Sequence, residues 1–341
     1  MKIKMTVAAI LATGILFAAE MGLAAITMDT VEVGDVGNGN DPTTGYGSVG
    51  YSYAIGKYEV TVGQYTAFLN AVAATDTYSL YNANMGTDLN VAGISQSGTS
   101  GSYTYSVMTN SGQDMTNRPI TYVSWFDAAR FANWMANGQP VGAQGNATTE
   151  DGTYTLNGAM SGLNFTRNVV NPTNGSGTIF WLPSEDEWYK AAYYSPGASG
   201  DSYWLYPTQS DSAPGNVIGS ALNQANINLS GYSTGSAPYI TDGGAYGGSA
   251  SHYGAFDQGG NVWEWNDAVS SGLFRGIRGG AWSFGSVLLN SSFGNGSTPE
   301  SENNTVGFRL ASVPEPSAAL LVLIAGVGWL FWKRGGRRPH P

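Results

Sequence analysis

Gly260-Asn261-Val262-Trp263-Glu264-Trp265 is the stretch on which the fold turns. Trp263 and Trp265, two residues apart, share one face of a strand, and Glu264 points to the opposite face with Val262. Downstream, Arg278-Gly279-Gly280-Ala281-Trp282 lets the backbone turn closely before an indole. Gly307-Phe308-Arg309 then predicts a tight backbone approach under a buried ring. Upstream stand Ile55-Gly56-Lys57-Tyr58-Glu59-Val60-Thr61, Arg118-Pro119-Ile120-Thr121-Tyr122-Val123-Ser124-Trp125 and Leu182-Pro183-Ser184-Glu185-Asp186-Glu187-Trp188.

Three helices are marked by their caps. Thr61 and Gln64 form a capping box ahead of Tyr65, Phe68, Leu69 and Val72, which fall on one helical face. Ser124 and Asp127 open a second helix with Phe131 and Trp134 on its aromatic face, ended by Gly138-Gln139-Pro140. Pro183 to Glu187 open a third, running through Trp188, Ala191 and Ala192 to Tyr194, with Pro196 stopping it. Acids in its first turn suit the helix dipole, which explains them without invoking a hydrolase carboxylate pair. Between the helices, residues 76–118, 138–178 and 196–250 are rich in Ser, Thr, Gly and Asn. They read as long loops with short strands such as Tyr51–Ala54 and Thr178–Leu182.

The 341 residues include 48 Gly, 20 Tyr and 10 Trp, and only 11% are charged. That composition predicts an aromatic-stapled, loop-rich α+β domain rather than a helical bundle. Six of the 14 basic and two of the 24 acidic residues lie in the end segments, leaving a net charge of −14 over residues 25–313. No basic patch is available to neutralise phosphates, so nucleic acid is not an expected partner. The Gly-Gly pairs lack a following Lys-Ser/Thr, so no phosphate loop is expected. The chain has no Cys, which removes disulfides, thiolate metal sites and cysteine nucleophiles. Of its two His, only His252 lies outside the tail, so a multi-histidine centre cannot form within one chain.

The ends carry targeting signals. Lys2 and Lys4 precede the apolar run Met5–Ala19, followed by Gly22, Ala24 and Ala25, which reads as a signal peptide over residues 1–24. At the other end Pro314-Glu315-Pro316 leads into the uncharged run Ala318–Trp332, closed by Lys333, Arg334, Arg337 and Arg338. Fifteen helical residues span only ~22 Å, short of a ~30 Å hydrocarbon core. This tripartite order resembles the PEP-CTERM sorting signal of Gram-negative bacteria. The resemblance implies processing by an exosortase-type membrane protease near Pro314, Glu315 and Pro316, and an exported protein, envelope-anchored or released. A plain C-terminal membrane anchor is the alternative. The resulting division is a signal peptide (1–24), an N-terminal extension (25–49), a core domain (50–312) and a sorting segment (313–341).

The ordered motifs from residue 55 to residue 309 together resemble the formylglycine-generating enzyme, or sulfatase-modifying factor, family over roughly residues 50–312. The resemblance implies a variant of the C-type-lectin-like fold, with few helices and short strands. It also implies a copper-holding cysteine pair that oxidises a substrate cysteine. Counted back from Gly307, those positions fall near Ser286 and Ser291. A hard hydroxyl does not replace a soft thiolate for Cu(I), so copper is not expected and no catalytic residue is assigned. A second branch of the superfamily uses a histidine-built iron site, which His252 alone does not supply. Trp282, Ser286, Ser291, Arg278 and Arg309 are candidates for a binding groove, although both arginines are also natural ion-pair partners for Glu187 or Glu264. Structural calcium is the cofactor that the resemblance leaves open, because oxygen ligands suffice. The corresponding positions are Asn261, Glu264 and the carbonyl of Val262, with Asn226 and Ile227 at a second site for which Asp242 is the candidate completing ligand. An ion pair at Glu264 with Asn261 capping a turn is the competing reading.

The expected role is therefore an exported binding or scaffold module without cysteine–copper chemistry, with surface polysaccharide or other exported proteins as partners. A divergent oxidoreductase acting on exported proteins and a structural matrix component are the alternatives.

Overall fold

The computed structural model describes residues 25–177, 179–197 and 200–313. The segments expected to be a signal peptide (1–24) and, from Pro314 onward, a sorting signal lie outside the described residues. In chain order the elements are β1 (Thr30–Val33), β2 (Tyr53–Gly56), α1 (Val62–Val72), α2 (Asn84–Thr87), β3 (Ile94–Ser97), β4 (Thr104–Val107), β5 (Thr109–Asn110), β6 (Gln113–Asp114) and α3 (Trp125–Ala136). There follow β7 (Phe180–Trp181), α4 (Glu185–Tyr193), β8 (Tyr194–Gly197), β9 (Gly200–Tyr203), β10 (Trp263–Ser270), β11 (Phe274–Arg278), β12 (Asn295–Ser297), β13 (Val306–Gly307) and β14 (Ala311–Ser312).

The starts of α1, α3 and α4 are closed by the expected reciprocal capping boxes, Thr61 with Gln64, Ser124 with Asp127, and Ser184 with Glu187, whereas the single turn α2 has no side-chain cap. Tyr65, Phe68, Leu69 and Val72 of α1 are buried. Phe68 meets Phe131 of α3 edge-on at 5.3 Å, and Trp134 at 5.2 Å. Helix α4 ends at Tyr193 rather than Tyr194, because Tyr194 begins β8 and pairs with Tyr203.

Two four-stranded sheets organise the core. One runs β1-β2-β14-β7, the other β12-β11-β10-β13. The first joins both ends of the domain, since β14 pairs with β2 and with β7. Residues 25–49, expected as an extension, enter this sheet through β1, which pairs with β2 from Thr30↔Gly56 to Val33↔Tyr53. In the second sheet β10 lies antiparallel to β11 and parallel to β13.

The glycines do what the motifs predict. Gly279 has φ +99°, and an added Cβ would sit 2.7 Å from the Gln258 carbonyl oxygen. At Gly307 a Cβ would sit 2.5 Å from the Ile120 carbonyl oxygen, beside the fully buried Phe308 ring.

Candidate functional site

The Trp263-Glu264-Trp265 alternation is realised on β10. Trp265 donates its indole N–H to the Val123 carbonyl at 2.9 Å, and Trp263 packs against Phe284 and Phe293. Glu264 turns the other way into a fully buried centre. Arg309 clamps it bidentately, Nε to Oε2 and Nη2 to Oε1, both at 2.6 Å. Trp188 of α4 adds an indole N–H to Oε2 at 2.7 Å. Arg309 also donates to the Gly56 carbonyl at the end of β2 and to the Phe256 carbonyl. This one ion pair therefore ties both sheets and α4 together. Two further buried carboxylates share the region. Burial, then the nearby Asp257, pushes the Glu59 carboxyl well above its usual range, and burial raises Asp257 to about 6.

The positions expected to bind calcium are joined by hydrogen bonds of their own. Asn261 Oδ1 accepts from Asn226 Nδ2 and from the Thr241 backbone N–H, each at 3.0 Å, while its Nδ2 donates to Glu59 and to the Thr241 carbonyl. Asn226 Nδ2 also donates to the Tyr239 carbonyl, and the Ile227 carbonyl accepts from Asn216 and Ser233. Val262 is packed in the hydrophobic core. Both Glu264 oxygens face Arg309, so this donor set as folded does not fit a calcium ion at Glu264: the guanidinium occupies the cation's place. Asp242 is exposed and lies 3.5 Å from Arg118.

The five groove candidates do not line one groove. Arg309 and Arg278 are structural cations, 0% and 3% exposed. Arg278 pairs with Glu185 at 2.5 Å, not with Glu187, and donates to the carbonyls of Ser291 and Phe293. Ser291 is itself buried. Ser286 opens a single 3-10 turn, Ser286–Leu289, and is half-buried. Trp282 is also buried, and its indole N–H donates to the Asn304 carbonyl.

Around Trp282 the structure brings together Tyr232, Tyr239, Asp88 and Asn304, which lie outside the quoted motifs, with Tyr122 of the Arg118–Trp125 motif. Tyr239 stacks on Trp282 at 4.9 Å and 20°, and Tyr232 packs on Tyr239 at 4.1 Å and on Trp282 at 5.5 Å. Asn304 Nδ2 donates to Asp88 Oδ2 at 2.9 Å, and the Tyr122 hydroxyl reaches the same oxygen at 2.7 Å. Asp88 Oδ1 accepts from the Asn90 N–H, and the Asn90 carbonyl accepts from the Tyr239 N–H. Burial opposes ionisation of Asp88, but the hydrogen bonds from Tyr122, Asn304 and Asn90 outweigh it and hold its carboxyl below the usual range. Tyr122 adopts φ +59°, a conformation costly for an aromatic residue. Its N–H bond to Asn303 and its hydroxyl bond to Asp88 hold it there.

The sequence model of the family described as the sulfatase-modifying factor enzyme 1-like domain matches residues 24–313. The chain belongs to this family. The matched span takes in residues 25–49 as well as the motif region. Among curated proteins, the chain is 30% identical to hercynine oxygenase of Mycolicibacterium smegmatis over 153 residues, 38% of this chain and 32% of that protein. It is 33% identical to ethylene-inducing xylanase 1 of Botryotinia fuckeliana over 171 residues, 46% of this chain and 57% of that protein. The chain thus spans between about a third and just over half of the length of these relatives. Among solved structures, that of CarF superposes with a TM-score of 0.50 at 22% identity, covering 85% of this chain and all of that one. That likeness speaks for the fold: a mixed α/β sulfatase-modifying-factor domain with few helices and short strands.

Proposed function

We propose that this sulfatase-modifying-factor domain works without cysteine–copper oxidation, as an exported binding or scaffold module of the cell envelope. One observation carries the reading: a family domain spans residues 24–313 of a chain with no Cys. The positions that the family resemblance assigns to the thiols fall near Ser286 and Ser291, and the second of these is buried. Hydroxyl oxygens are hard, protonated donors at neutral pH and do not fit Cu(I). The copper of the family resemblance therefore has no ligand set here, and no oxidative step is derived through it. Export rests on the terminal segments, the basic–apolar start and the Pro314-Glu315-Pro316 end. In this reading an exosortase-type protease and the membrane handle the tail.

The similarity to an oxygenase favours a second reading, a divergent oxidoreductase acting on exported proteins. Against it, His252 packs edge-on between Tyr194 and Tyr253, and residues 25–313 contain no second imidazole. Competition between the full-length protein and a chromophoric Cu(I) chelator separates the two readings. The binding-module reading expects the chelator to keep its copper at stoichiometric protein. Removal of Cu(I) from the chelator by the protein would contradict it.

A further inference from the structure

The wall that runs from Tyr232 through Trp282 to Asp88 has the chemistry of a sugar-binding surface. Tyr239 and Trp282 cover one another's faces, which leaves Tyr232, 36% exposed, as the outermost ring of the stack. Among the described residues, the hydroxyls of Tyr232 and Tyr239 make no hydrogen bond, and neither is a buried orphan. Asp88 stands at the other end of the same wall, linked to the stack through Asn304 on one side and Asn90 on the other. Its Oδ2 takes two hydrogen bonds and its Oδ1 one from the Asn90 N–H, and the residue is half-buried. Tyr122 is held in a strained backbone conformation where its hydroxyl fixes that carboxylate.

Rings in mutual contact do not form a cage for a cation. They form a rigid platform whose outer face suits the C–H face of a pyranose, with polar groups at the rim for hydroxyls. The fixed carboxylate and the net charge of −14 over residues 25–313 oppose an acidic polymer. We propose that this wall binds neutral polysaccharide, a hexopyranose unit stacking on Tyr232 while adjacent hydroxyls donate to Asp88. The proposal rests on the binding-module reading and gives that reading its ligand class.

The test is affinity electrophoresis of the full-length chain, purified in mild detergent, through gels containing laminarin, yeast mannan or alginate. The variants Tyr232→Ala and Asp88→Asn run alongside, with circular dichroism melts to show that both fold. The expected result is retardation by at least one neutral glycan, little by alginate, and about tenfold weaker retention in each variant, the loss of one well-made contact. Three results would overturn it: no neutral glycan retards the chain, alginate retards it equally, or both folded variants bind like the parent. Capture of an exported protein in place of glycan would refute the ligand class and leave the binding role standing. Copper uptake by a glycan-binding chain would refute the non-oxidative reading and leave the ligand class standing.

Discussion

The Glu264–Arg309 centre and the Asp88–Trp282 wall each hold a carboxylate amid aromatic rings, yet they serve opposite ends. In the first, Arg309 engages both carboxylate oxygens, and Trp188 bonds one of them. Arg309 spreads its remaining hydrogen bonds over the carbonyls of Gly56 and Phe256. Its polar groups face inward and hold two sheets together. In the second, Tyr122 and Asn304 side chains bond Asp88, and the hydroxyls of Tyr232 and Tyr239 make no hydrogen bond among the described residues. Positions that resemble a family metal motif thus serve as scaffold here, while Tyr232, Tyr239, Asp88 and Asn304, outside the motifs, join Tyr122 and Trp282 in the proposed binding wall.

The largest expected effect lies in the buried centre. Arg309→Met strands Glu264 without its cation and should cost about 3–5 kcal/mol, read from denaturant midpoints. The double variant Arg309→Met, Glu264→Gln should recover part of that loss, because the uncompensated charge is gone. A single-variant loss below about 1 kcal/mol would erase the contrast between the two regions.

Next is the response to pH. Burial raises Asp127 and Asp267 to about 7 and Asp257 to about 6. A raised carboxyl binds its proton more tightly in the folded state. Its stability contribution is full below pH ~4, where the unfolded chain titrates, and is lost as pH rises through 6 to 7. Thermal melts should therefore show the domain less stable at pH 8 than at pH 5, by on the order of 1 kcal/mol per group. A flat profile would mean that these acids are ionised in the fold.

A smaller effect belongs to the caps. Ser124→Ala removes the side-chain bond to the Asp127 N–H and should cost about 1 kcal/mol by chemical denaturation. The smallest is on the wall. Tyr232→Ala should change stability by no more than about 0.5 kcal/mol, since that ring is exposed. A large loss there would turn the wall into scaffold as well.

Legibility followed the range of the physics. The three capping boxes and the Trp263/Trp265 alternation were readable because each is decided within a few residues. That Arg309 and Arg278 would pair with carboxylates was readable because core cations are scarce, but which acid each takes, Glu187 or Glu264, stays open in the sequence. The Arg278 partner, Glu185 rather than Glu187, was not readable. Glu187 turns to Trp181, Ser184 and Tyr51, and only the docking of α4 decides that. The groove candidates do not gather because Arg278, at the end of β11, and Arg309, between β13 and β14, pair with different acids, and Ser291 and Trp282 are buried. Asp88, Tyr122, Tyr239 and Asn304 come from separate loops. Local signals existed in the Arg118–Trp125 motif, which holds Tyr122, and in Asp88-Leu89-Asn90, whose Asp88 carboxylate accepts the Asn90 N–H.

The most direct test of a sulfatase-modifying-factor fold without its thiol chemistry is a turnover assay. Full-length protein is incubated with Cu(I), oxygen and a Cys-containing sulfatase peptide, and the peptide is read by mass spectrometry. The peptide should be recovered without aldehyde, matching a control without protein. Protein-dependent conversion of its cysteine to formylglycine would contradict the account.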